Sequence, residues 1–249
     1  MTRSVSAQIR LQIHGDVDLI FSVAAATDGH DVDEHLTVVG DRGPIDEVAG
    51  RNGTRLHRVS ARRGPLTLDY AATVGDRSDA PAIDDFDLIE YGRPSRYCES
   101  DALFSLARQQ FAGLSGSAAI DAVEEWVSGY LTYVPGSSSV TDGARATHEL
   151  RKGVCRDFAH LVIAFLRALD VPARLVSMYA PGLVPMDFHA VAEAYADGVW
   201  RIVDATGLAP VDTMVRVATG RDAADTAFLT QHGGAVDLVG LDVDASMAG

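Results

Sequence analysis

The chain has 249 residues, 47% of them apolar and 22% charged, which is a globular composition and not a disordered or fibrous one. Its 35 acidic residues outnumber 21 basic ones for a net charge of −14, and no basic face offsets this, which argues against a nucleic acid or an anionic membrane as partner. Two cysteines are too few for a disulfide-stapled scaffold, the first ten residues lack a signal-peptide core, and no run reaches the ~18 apolar residues of a membrane span. A cytoplasmic chain with both thiols free is the expectation.

Residues 1–90 read as strands. Residues 6–13 alternate polar and apolar, 17–23 form an apolar run, and 54–59 and 66–70 alternate again. Asp28-Gly29, the run from Asp41 to Pro44, Asn52-Gly53 and Arg63-Gly64-Pro65 supply turns between them. This predicts an antiparallel β domain that ends in an acidic linker over residues 75–87, containing Pro81.

Beyond the linker the period changes. Ile120, Val123, Trp126, Val127, Tyr130 and Leu131 follow helical spacing. Pro135-Gly136 and three serines break that helix and open a loop reaching about Ala146. Phe158, Leu161, Val162, Phe165, Leu166 and Leu169 predict a second helix, stopped ahead of Pro172. Residues 174–179 read as a strand. Residues 189–195 and 200–204 read as a hairpin turning on Asp197-Gly198. Helices followed by strands make residues 91–249 an α+β unit.

Cys155 lies where the second helix begins. A helix N-terminus carries partial positive charge and unpaired N–H groups, which favour a thiolate nucleophile. A buried structural cysteine is the alternative. The hairpin shifts the balance toward the nucleophile, provided that no bulge breaks its register. With Asp197-Gly198 as the turn, facing positions sum to 395, so His189 faces Thr206 and Asp204 lies diagonal to His189 on one face. A base and its orienting acid then stand together, as nucleophilic catalysis requires.

Residues 153–160 (GVCRDFAH), 171–174 (VPAR), 187–190 (DFHA) and 200–206 (WRIVDAT) occur in an order that resembles the bacterial transglutaminase-like family. Residues 133–136, 96–101 and 220–225 extend the likeness, and the strand-rich start resembles the β domain that often precedes this core. The resemblance implies a papain-like, transglutaminase-core cysteine hydrolase fold. It implies Cys155 as nucleophile, His189 as base and Asp204 as the orienting acid, with no cofactor. It also implies an oxyanion site made of the Cys155 backbone N–H and an upstream side chain. Trp126 lies upstream, but its spacing marks core; Tyr97 is the other candidate. The implied reaction is acyl transfer through a Cys155 thioester on a peptide or amide substrate. Water is the default acceptor, so hydrolysis is expected. Protein-glutamine transglutamination and a non-catalytic binding module are the alternatives.

Other residues take structural readings. Cys98 has no helix start or base beside it. A metal site at His148, Cys155, Asp157 and His160 is disfavoured, because Cys155 and His160 stand five apart, off one helix face. His160 is expected to cap or pack against the helix, and Arg156 and Asp157 to pair on the surface. Glu193 shares the hairpin face of His189 and could line the cleft.

Overall fold

The computed structural model describes residues 1–27, 29–77 and 83–248. Asp28 and residues 78–82, with Pro81 of the expected linker, lie outside the described residues. The first strands are β1 (Thr2–Ile13), β2 (Val17–Phe21), β3 (His30–Val39), β4 (Arg42–Ala49), β5 (Arg55–Ala61) and β6 (Gly64–Arg77). Helices α1 (Asp85–Glu90), α2 (Phe104–Gln110) and α3 (Gly116–Tyr130) follow, then β7 (Thr132–Tyr133), α4 (Ala144–Leu150), β8 (Lys152–Gly153) and α5 (Cys155–Ala168). The chain continues through β9 (Ala173–Tyr179), β10 (Phe188–Ala196), β11 (Val199–Val203), β12 (Val215–Gly220), α6 (Ala223–Thr226), β13 (Leu229–Gly233) and β14 (Val236–Ala248).

The alternation in β1 does what a two-residue period dictates. Val5, Ala7, Ile9, Leu11 and Ile13 are buried on one face, and the residues between them are more exposed. They meet Leu19 and Phe21 of β2 and Leu66, Leu68 and Val74 of β6 in one core. Strands β3 and β4 escape the sequence reading because each is the edge of its sheet and buries little. Pro44 sits at an irregularity of the β4–β5 ladder, where a missing N–H costs nothing.

Two of the three four-stranded sheets among the described residues run β14-β1-β6-β3 and β13-β2-β5-β4. The C-terminal strands therefore belong to the N-terminal sheets: β14 pairs with β1 along its length, and β13 pairs with β2. Residues 229–248, assigned by the sequence reading to the unit 91–249, are strands of the β domain. The two parts also share a core, since Tyr179, Val215 and Val217 pack with Leu19 and Leu68.

The second unit is a sheet of order β11-β10-β9-β12 with α5 packed against it. Residues 157–168 of α5 are all buried. Helices α2, α3 and α4 cover the face of α5 away from the sheet. A helix enclosed on all sides cannot slide, so the position of its first residue is fixed by the whole core.

Candidate active site

Cys155 is that first residue. Val154 occupies the N-cap and has no side-chain acceptor. Asp157 compensates by accepting the Val154 N–H at 2.8 Å, and it also accepts the Ser138 hydroxyl at 2.9 Å. It is not a surface residue as the sequence suggested: it is 1% exposed, and its Arg156 contact is a loose 3.9 Å. Burial raises its pKa, against the bonds from Val154 and Ser138. Gly153 must be glycine here, because a Cβ there would stand 2.5 Å from that of Asp157. Arg156 instead donates to Ser138 Oγ and to the Ser139 carbonyl, tying the serine-rich loop to the start of α5.

His189 is the second residue of β10, and Asp204 follows β11. Asp197 and Gly198 both have positive φ, 52° and 85°, as a two-residue type I′ turn requires. The pairs Ala196–Val199 to Ala192–Val203 keep the sum of 395 without a bulge. The ladder then ends, and the chain turns at Asp204, whose Oδ1 accepts the Thr206 N–H at 3.0 Å and hydroxyl at 2.7 Å. Its Oδ2 lies 2.8 Å from His189 Nε2, in a contact where the two side chains are 3% and 1% exposed.

Cys155 shares the cleft with His189, and Asp204 and Cys155 together act on the charge of the imidazole. Burial opposes the imidazolium, but the hydrogen bonds to Asp204 and Cys155 outweigh it and raise the His189 pKa to about 9. Burial likewise opposes ionisation of Asp204, yet the bonds from His189 and Thr206 hold its carboxyl below the usual range. Cys155, His189 and Asp204 are thus brought together as a thiol, an imidazole and a carboxylate in sequence.

The upstream aromatic beside Cys155 is Tyr133, which sequence reasoning did not single out. Strand β7 pairs in parallel with β8, placing Tyr133 opposite Gly153, and the Val134 N–H bonds the Gly153 carbonyl at 3.0 Å. Burial raises the Tyr133 pKa, with the neighbouring Cys155 side chain acting the same way and a hydrogen bond with the Cys155 backbone acting in the opposite direction. Trp126 packs between Phe111, Tyr130 and Phe165, as its spacing implied. Tyr97 lines the cleft and stacks on His160.

Cys98 is fully buried, and burial pushes its thiol pKa well above the ordinary value. His160 is also fully buried; Nε2 accepts the Ala223 N–H, and desolvation lowers its pKa to about 3. His148 stacks on Tyr130 and Trp126 in the helical layer, away from Cys155. Glu193 does not reach the cleft: it is 3% exposed and clamped between Arg174 and Arg216, each at 2.6 Å.

The cleft above Cys155 and His189 has a volume of about 710 Å³. Two depressions on the β domain, about 510 and 340 Å³, contain neither of these residues.

The transglutaminase-like superfamily core matches residues 105–205. A crystal structure of a candidate cysteine protease from Cytophaga hutchinsonii is 35% identical, with a TM-score of 0.91 over 99% of this chain and 90% of that one. An uncharacterized protein of Mycobacterium leprae (strain TN) is 33% identical over 120 residues, 45% of this chain and 43% of that protein. The chain thus spans less than half the length of that curated relative.

Proposed function

The chain belongs to the transglutaminase-like superfamily, and on that premise we propose that it is a cysteine-dependent acyl-transfer enzyme that hydrolyses peptide or carboxamide bonds. The observation that carries this is that Cys155 and His189 line one cleft, with His189 Nε2 2.8 Å from Asp204 Oδ2 behind them.

In this mechanism His189 holds the proton of the Cys155 thiol. The Cys155 sulfur attacks the substrate carbonyl carbon. The oxyanion that forms is met by the Cys155 backbone N–H and the Tyr133 hydroxyl. His189 then gives its proton to the leaving amine, the C–N bond breaks, and a thioester remains. Water attacks the thioester, His189 takes a proton from it, and the acid product leaves with the thiol restored. Asp204 keeps the imidazole in one tautomer and stabilises its charged form.

The test follows release of free acid and incorporation of a labelled primary amine from glutamine-bearing and ordinary peptides, in wild type and Cys155→Ala. Acid release that outruns amine incorporation, and that Cys155→Ala abolishes, is the expected result. Incorporation that outruns hydrolysis would reassign the protein as an amine-transferring enzyme. No turnover of any amide, with Cys155 still alkylated by iodoacetamide far faster than Cys98, would favour a binding module.

A further inference from the structure

One wall of the cleft is built by the β domain. Phe228 immediately precedes β13, Leu229 opens it and Leu241 lies in β14, strands held by β2 and β1, and all three line the cavity that contains Cys155. The Phe228 carbonyl is anchored by the Ser22 N–H at 3.0 Å. Phe188, the residue before His189, faces Phe228 in a stack with ring centroids 5.7 Å apart. All four are only partly buried in the β-domain core, so apolar surface stays open beside the nucleophile.

None of these four side chains carries a charge. Arg156 is engaged with Ser138 and Ser139, and the Asp187 carboxylate accepts the Phe188 N–H. A charged substrate group laid on these four side chains would lose water against carbon. An apolar group would cover exposed carbon.

We propose that the cleft selects peptides with a large apolar residue, aromatic or leucine-sized, next to the attacked carbonyl or one residue away, seated against Phe188, Phe228, Leu229 and Leu241. This rests on Cys155 being the nucleophile. The β domain is then a part of the substrate site.

The experiment compares alkylation of Cys155 by peptidyl chloromethyl ketones that differ only in one side chain: phenylalanine, alanine or aspartate. The phenylalanine reagent is expected to react at least about tenfold faster, the scale of discrimination by a hydrophobic pocket. Phe228→Ala and Leu241→Ala should each shrink that ratio, while the iodoacetamide rate at Cys155 reports an intact nucleophile. Equal rates for the three reagents, or a ratio unmoved in both variants, would overturn the proposal. Selectivity without turnover of any peptide or carboxamide would sink the acyl-transfer reading and leave this one standing. Turnover with no apolar preference would do the reverse.

Discussion

His189 Nε2 and Asp204 Oδ2 lie 2.8 Å apart, in a contact closed to water on both sides, and the second Asp204 oxygen is spent on Thr206. Both carboxylate oxygens are engaged, so the imidazole is held with Nε2 committed to Asp204. Replacing Asp204 with asparagine keeps the shape and removes the charge. Asp204→Asn is predicted to lower kcat/KM by about 10²–10⁴-fold, as expected when the tautomer of a catalytic histidine is lost. Steady-state rates on any substrate found for the wild type check this; a change below fivefold would remove Asp204 from the mechanism.

The raised pKa of His189 sets a pH dependence. Its folded value, about 9, exceeds the ordinary 6.5, so the stability contributed by the imidazolium is complete below about pH 6.5 and is lost as pH rises through about 9. The same loss removes the proton destined for the leaving amine, so kcat/KM should fall on the alkaline side near pH 9. In Asp204→Asn that limb should move to lower pH, because a bond that raises the pKa has been weakened. A limb that stays in place would show that another group titrates.

Tyr133→Phe deletes the hydroxyl beside Cys155 and leaves the ring, which lies 6.0 Å from that of Phe158. Loss of one oxyanion donor costs about 10²–10³ in kcat. The expected outcome is a fall of that order with KM little changed and iodoacetamide labelling of Cys155 intact. A KM effect alone would make Tyr133 a substrate contact.

Asp157 is predicted to matter for the start of α5 through its hydrogen bonds and not its charge. Asp157→Ala leaves the Val154 N–H without its acceptor and should destabilise the fold by about 1–3 kcal/mol. Asp157→Asn keeps an acceptor and relieves a buried carboxylate of raised pKa, so its loss should be smaller. Urea unfolding of both variants at neutral pH decides, and equal losses would show that charge matters.

Glu193→Ala takes the shared carboxylate from two buried arginines. Burial opposes its charge, but Arg216 and Arg174 hold its pKa below the ordinary 4.5. Its contribution is therefore present above about pH 4.5 and lost as pH falls through the lowered value. Breaking such a pair costs about 3–5 kcal/mol. The variant should lose that stability in urea, while the folded fraction keeps its kcat. A specific loss of kcat would return Glu193 to the cleft.

The sequence by itself determined what neighbours along the chain control. Alternation placed β1, β5 and β6, an apolar run placed β2, helical spacing placed α3 and α5, and the Asp197-Gly198 turn set the register that carries Asp204 to His189. Three matters were decided by tertiary structure alone. Strands β13 and β14 carry no local mark of their partners, and pairing with β2 and β1 across most of the chain completes the β domain. Tyr133 reaches Cys155 because β7 lies beside β8, a pairing of two residues per strand with no periodicity to read. Glu193 shares the strand parity of His189, and parity fixes a face but not what covers it; Arg174 and Arg216 cover Glu193, while the face beside His189 stays open to the cleft. Side-chain period and turn chemistry are properties of a few consecutive residues, whereas burial depends on which distant segment arrives, and no window of sequence contains both partners.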